Sequence, residues 1–161
     1  MTEIVFYASA AIAVFCTVMT VTSLNPVHAL LYLIVSLLSL AIIFFTLGAP
    51  FAALLEVIVY AGAIMVLFVF VVMMLNLGDA AEQERHLLAP KVWAGPSFLA
   101  LLLLGELIAL LGKGPLSAIG SEVTAKQVGI ALYGPYLLGV ELASMLLLGA
   151  LVAAYHLGRN E

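Results

Sequence analysis

Five apolar stretches follow one another along the chain, at about 4–25, 26–47, 51–77, 92–112 and 130–157, parted by short runs where polar residues, Gly and Pro collect. Each meets the roughly 20 residues an α-helix needs to cross the hydrocarbon core of a bilayer. The pattern predicts an all-α fold, an integral membrane bundle of five transmembrane helices forming a single membrane domain over 1–161. No segment between the spans is long enough to bury a core of its own.

The punctuation predicts where helices begin and end. Asn25-Pro26 opens the second span, with Asn as N-cap and Pro at the first helical position, where its missing N–H costs nothing. Gly48-Ala49-Pro50 ends that span and opens the third, which implies a tight antiparallel hairpin. The third stretch, 51–77, would be roughly 40 Å long as a helix, against a core of about 30 Å, so it must tilt, bend or protrude. The polar loop 78–91 carries Asp79, Glu82, Glu84, Arg85 and His86 and faces solvent or a partner. The connection 113–129 predicts an interfacial segment, after which Gly134-Pro135 interrupts the apolar run of the fifth span.

Composition removes the soluble alternative: 66% of the 161 residues are hydrophobic and 9% charged, against about 45–50% and about 25% in soluble domains. The start, Met1-Thr2-Glu3, lacks a basic leader, and Ala8-Ser9-Ala10 comes too early to be a cleavage site, so the first helix is expected to stay uncleaved. The absence of an Arg-rich leader favours a bacterial inner (cytoplasmic) membrane or an organelle-encoded product. Among Lys and Arg, Arg85, Lys91 and Arg159 fall on one side and Lys113 and Lys126 on the other, which predicts a periplasmic N-terminus and a cytoplasmic C-terminus. Cys16, the one cysteine, is expected to pack within the first span. With no Cys cluster, no His pair at metal-ligand spacing and no phosphate-cradling loop, the chain is expected to carry no cofactor and no metal, leaving any redox chemistry to other subunits.

Three carboxylates fall inside spans, Glu56 in the third, Glu106 in the fourth and Glu141 in the fifth, with no Lys or Arg inside any span to neutralise them. An ionisable group in hydrocarbon is expensive and marks a candidate proton or ion path, although a protonated Glu can also serve only to join helices. Glu106, nearer a span end, is the weakest of the three. Tyr60 follows Glu56 by four residues, on the same helical face, where its phenol can donate to a carboxylate or order a water; residence at the membrane interface is the plainer reading. Ala61-Gly62-Ala63 either permits close helix approach or marks a π-bulge, in which an extra residue in one turn frees a carbonyl and lets the helix rotate. Glu141 and Ser144 share a face of the fifth span, whereas Ser36 and Ser39 are expected to satisfy their hydroxyls on their own backbone. His28 and His156 sit near span ends.

The Asn25-Pro26-Val27-His28-Ala29-Leu30 opening, the Glu56-to-Met74 run and the segment from Gly134-Pro135-Tyr136 to Glu141-Leu142-Ala143-Ser144 resemble the family of subunit J of bacterial NADH:quinone oxidoreductase, with mitochondrial complex I subunit 6 as its counterpart. The resemblance spans nearly the whole chain. It implies a five-helix subunit between the quinone-binding part of the membrane arm and the antiporter-like subunits, with FMN, Fe–S clusters and quinone carried on other subunits. Its partners would be the lipid bilayer and other membrane-arm subunits, especially the quinone-site subunit and small helical neighbours, and no nucleic acid. The family's third helix switches between regular and π-bulged forms, which maps onto Tyr60 to Val66 here, and its acidic residue matching Glu56 contributes to a hydrated polar axis. Joined to the residue reading, this gives a proton path through Glu56, Tyr60, Glu141 and, more weakly, Glu106. The gate or hinge would be Gly62, Ala63, Met65, Val66 and Phe68, whose bulky members exclude water. Two other readings remain at this stage: a subunit of a multisubunit cation/proton antiporter, and a purely structural membrane-arm subunit.

Overall fold

The second apolar stretch is the axis about which the first four spans pack. In the computed structural model, which describes residues 2–74, 90–112 and 121–159, it forms helix α2, Pro26–Thr46. Its start follows from the sequence. Asn25 Oδ1 accepts from the N–H of Val27 at 3.0 Å and of His28 at 3.3 Å, and Pro26 takes the first helical position. Its end is a Schellman turn: Gly48 lies at φ 86°, the left-handed region that costs glycine little. The Gly48 N–H bonds the Phe45 carbonyl at 3.2 Å and that of Ala49 bonds Phe44 at 2.9 Å. The chain then reverses directly into the third span.

Helix α1, Thr2–Thr22, precedes α2. The third span has three parts: α3, Pro50–Leu55; a π-helical segment, Glu56–Ile64; and α4, Met65–Met74. The fourth span is α5, Pro90–Leu111. Helix α2 touches α1, every part of the third span and α5, while α5 also reaches α1. Of the polar loop expected at 78–91, only Pro90 and Lys91 belong to the described residues, where they open α5.

Side chains from three helices fill the core: Ile12 and Cys16 of α1, Tyr32, Val35 and Ile42 of α2, and Leu103 of α5. Cys16 is fully buried and unbonded to another cysteine, in keeping with a packing role. Lipid gives apolar side chains no hydrophobic reason to associate, so close contact and interhelical hydrogen bonds must hold such a bundle. One of these bonds corrects the sequence reading. The Ser36 hydroxyl reaches across to α1, donating to the Ala13 carbonyl at 3.1 Å and lying 3.0 Å from Thr17 Oγ1. The small residues Ala13 and Ser36 let the two helices come near enough for this. Ser39 stays within its helix, donating to the Val35 carbonyl at 2.8 Å.

The compact units of the chain are Met1–Glu122 and Val123–Glu161. In the second, Thr124 and Gln127 form a reciprocal capping box that starts a short helix, α6, Ala125–Leu132. A turn over 133–136 follows, and then α7, Leu137–Gly158. The fifth span thus begins at Leu137 and not near 130, because Pro135 has no N–H to continue α6 and Gly134-Pro135 sits in the turn. Five helices of the described chain are long and apolar enough to cross a membrane: Thr2–Thr22, Pro26–Thr46, Pro50–Met74, Trp93–Leu111 and Leu137–Gly158.

A glycine makes room for a side-chain tip where α2 meets α5. A Cβ placed on Gly95 would collide with the Tyr32 hydroxyl, and the Tyr32 ring is buried against the His28 ring edge, with little freedom to withdraw. Gly95→Ala is therefore expected to destabilise the protein by about 1–3 kcal/mol, the usual range for overpacking. Thermal unfolding in detergent checks this, and adding Tyr32→Phe should recover most of the loss by removing the colliding oxygen.

Candidate functional site

The third span offers no polar face by which to orient itself, so its packing must be read from which residues it buries. Ala53, Glu56, Ala61, Met65, Val69 and Val72 are its buried or half-buried positions along one stripe. Successive steps are three, five, four, four and three residues, and the step of five falls inside the π-helical segment. A π-turn takes one residue more than an α-turn, and that extra residue keeps the stripe continuous.

The two most enclosed members show what the π segment achieves. Glu56 is 9% exposed and Met65 only 2%. They lie nine residues apart, which is two and a half turns at about 3.6 residues per turn, so a uniform α-helix would put them on opposite sides. At roughly 4.4 residues per turn, the five-residue hydrogen-bond spacing makes nine residues about two full turns, and both side chains face inward. At the end of the segment the Met65 N–H bonds the carbonyls of Tyr60 and Gly62 and passes over that of Ala61.

Gly62 fits this geometry for a spatial reason. A Cβ there would stand 3.2 Å from the Val57 carbonyl oxygen, five residues back, a tighter contact than side chains ordinarily make. Runs of β-branched residues, here Val57, Ile58 and Val59, also weaken the α alternative. The π-helix spans Glu56–Ile64, so it begins four residues ahead of the Tyr60-to-Val66 region to which the resemblance pointed.

The structure brings some predicted residues together and separates others. Glu56 and Met65 share the buried face beside α2. The Glu56 carboxylate makes no hydrogen bond to a described residue, and neither of its oxygens is sealed off from the surroundings. Tyr60 is 50% exposed and is not hydrogen-bonded to Glu56. Gly62 is half-buried, whereas Ala63, Val66 and Phe68 are exposed. Glu141 lies on α7, in the second unit, and the Ser144 hydroxyl on the same helix donates to the backbone carbonyl of Glu141 at 2.7 Å, not to its carboxylate.

Glu106, the weakest of the three carboxylates by sequence, has the clearest partner. The fully buried Ser9 on α1 donates its hydroxyl to Glu106 Oε2 at 2.7 Å. Sequence reasoning passed over Ser9 as part of the Ala8-Ser9-Ala10 triplet. A signal was present, since α1 starts and α5 ends on the same side of an antiparallel bundle, bringing an early serine and a late glutamate to one level. Among the described residues, no group of three or more His, Cys, Asp or Glu side chains could hold a metal.

The sequence profile of NADH-ubiquinone/plastoquinone oxidoreductase chain 6 matches residues 16–157. Subunit J of the NADH-quinone oxidoreductase of Pseudomonas aeruginosa is 66% identical over 99% of this chain and 98% of its own length. The subunit J of Escherichia coli K12 is 57% identical over 99% of this chain and 88% of its own. That of Buchnera aphidicola from Schizaphis graminum is 52% identical over 99% of both.

Replacing Gly62 by Ala should shift the segment from π toward α, since the new methyl crowds the Val57 carbonyl only in the π form and Ala favours an α-helix by about 1 kcal/mol. Amide hydrogen exchange over 56–64 is expected to slow about fivefold on that basis. Unchanged or faster exchange would count against the role given to Gly62.

Proposed function

The chain belongs to the NADH-ubiquinone/plastoquinone oxidoreductase chain 6 family and is a multi-pass membrane subunit of bacterial NADH-quinone oxidoreductase; on that premise we propose that its third span couples quinone reduction in a neighbouring subunit to proton movement along the membrane arm. The observation that carries this reading is the π-helical segment holding Glu56 and Met65 on one buried face. Family membership sets aside the antiporter reading. FMN, Fe–S clusters and quinone belong to other subunits in this reading, and the chain's own contribution is a polar group and a rotating helix.

The rotation follows from helix geometry. If the segment reverts to α while Glu56 stays in place, α4 turns by nearly half a revolution, since nine residues then make about two and a half turns instead of about two. Met65 leaves the inward line and Ala63 approaches it. Val66 and Phe68 swing from one flank of the helix to the other. A bulky apolar side chain in a narrow passage excludes water, so the exchange of Met65 for Ala63 beside α2 opens or closes a hydrated route. Water in that route would let a proton pass between Glu56, Tyr60 and carboxylates of partner subunits, and Glu141 would serve the same path from α7. In the assembled complex the five spans form one membrane domain next to the quinone-site subunit, with the N-terminus periplasmic and the C-terminus cytoplasmic. The Lys and Arg count supports that orientation.

Glu56→Gln keeps the size and hydrogen-bonding capacity of the side chain but cannot exchange a proton. In sealed vesicles containing the whole complex, it is expected to lower proton translocation at least about tenfold, the scale of losing one proton-transfer group. The amount of assembled complex should be unchanged. Gly62→Leu should likewise impair pumping more than assembly. Full coupled activity in both variants would leave the chain a structural subunit.

A further inference from the structure

We infer that Ser9 positions Glu106 as a second proton-handling point of this chain, on the seam between α1 and α5 and separate from the Glu56 segment. The inference rests on the proton-path reading for what the proton is used for, and on the local geometry for the rest.

The hydroxyls of α1 and α2 provide the comparison. Thr17, Thr20 and Thr22 donate to carbonyls of their own helix, four residues back, at 2.8 Å each. On α2, Ser39 does the same, Thr46 donates to the Ile43 carbonyl three residues back, and Ser36 donates to a backbone carbonyl of α1. Bonding its own backbone is the ordinary way a membrane helix satisfies a hydroxyl. Ser9, fully buried, instead commits its one proton to a carboxylate on another helix. A hydroxyl can both donate and accept, so Ser9 can donate to an ionised Glu106 or accept from a protonated one, and the bond persists while the carboxyl gains or loses its proton.

The Glu106 carboxyl keeps one oxygen available for a proton. It is half-buried, and its second oxygen has no hydrogen bond to a described residue, so one oxygen is held and the other is open to water or to a neighbouring subunit.

Depth and surroundings make it a separate point. Glu56 lies six residues after Pro50 and Glu106 five before Leu111, about 9 Å and about 8 Å from helix ends on the same side of the bundle. Between the third span and α5 lies a half-open apolar groove of about 560 Å³. Its lining includes Val57 and Leu107, the residues directly after the two carboxylates, together with Ile42, Phe45, Ala53 and Leu103. A groove so lined offers water no hydrogen-bond partners of its own. No side chain lining this groove could relay a proton from Glu56 to Glu106, and the hydrogen-bond partner of Glu106 lies on α1 instead.

The test is the ratio of protons moved per electron passed, measured on the assembled complex in sealed vesicles beside the rate of quinone reduction. A purely structural pair would alter how much complex assembles, not this ratio. Glu106→Gln is expected to lower the ratio, Ser9→Ala to lower it less, and Ser9→Thr, which keeps the hydroxyl, to retain it. The Ser9→Ala/Glu106→Gln double variant should match Glu106→Gln alone. A wild-type ratio in Glu106→Gln overturns the inference, even if Ser9→Ala fails to assemble, and so do losses that multiply in the double variant. Glu56→Gln run in parallel separates the two claims. Loss there with a normal Glu106→Gln leaves the helix-3 reading standing and sinks this one, and the reverse pattern does the opposite.

Discussion

Two side chains nine residues apart on one helix, Glu56 and Met65, both face α2, and no uniform α-helix can satisfy that requirement. The third span meets it by winding Glu56–Ile64 as a π-helix, at the cost of poorer hydrogen-bond geometry and a carbonyl that the Met65 N–H passes over. The helix on one side of this segment is tied in phase to the helix on the other only through it. Packing against α2 thus sets a register in each half, and the π segment absorbs the mismatch. That arrangement has a natural alternative, the straight α-helix, which differs by a rotation and by which residue, Met65 or Ala63, faces inward.

Helix α2 can impose a register because its own position is over-determined. An asparagine N-cap and a first-turn proline fix one end, and a Schellman turn at Gly48 fixes the other. Along its length Ser36 is bonded to the α1 backbone and the Tyr32 hydroxyl presses on the space above Gly95 of α5. In lipid, where apolar contact alone gives helices no preference for one another over acyl chains, such close polar and small-residue contacts choose the neighbours. On the proposed coupling, a fixed α2 beside a third span able to revert to α would give one surface that stays and one that turns.

How much of this could be read from the chain depended on whether a residue type betrayed its surroundings. The five spans, the Asn25-Pro26 start and the Gly48 turn were legible because a polar or conformationally special residue interrupts hydrocarbon at each place. The π segment was legible only as one of two meanings of Ala61-Gly62-Ala63. Its extent was hidden, since Val, Ile, Leu, Phe and Met occupy every side of the helix and a period of five leaves no trace where inward and outward residues look alike. Ser9 and Ser36 were hidden for another reason: a serine in a membrane helix is satisfied as well by its own backbone as by a neighbour, and only the spacing between helices decides. Glu106 was undervalued because nearness to a span end suggested solvent, whereas the buried hydroxyl that holds it comes from a helix 97 residues away.

The distribution of polar groups also bears on how the two carboxylates of the first unit can act. Glu56 is enclosed but unbonded, beside a segment with an alternative winding; Glu106 is more open but held at one oxygen by a buried donor. In the proposed mechanism the first would respond to movement, because nothing in the described chain fixes its carboxylate and the proposed rotation would change what stands beside it. The second is suited to remain in place while its environment changes charge. The groove between the third span and α5 offers no polar group to link them, so in the proposed path communication would pass through the packing of α2 or through groups that other subunits bring to the open oxygen. With no Lys or Arg inside the five apolar stretches, the chain itself brings carboxylates, hydroxyls and the Tyr60 phenol, and in the proposed path the remaining groups would come from the complex around it.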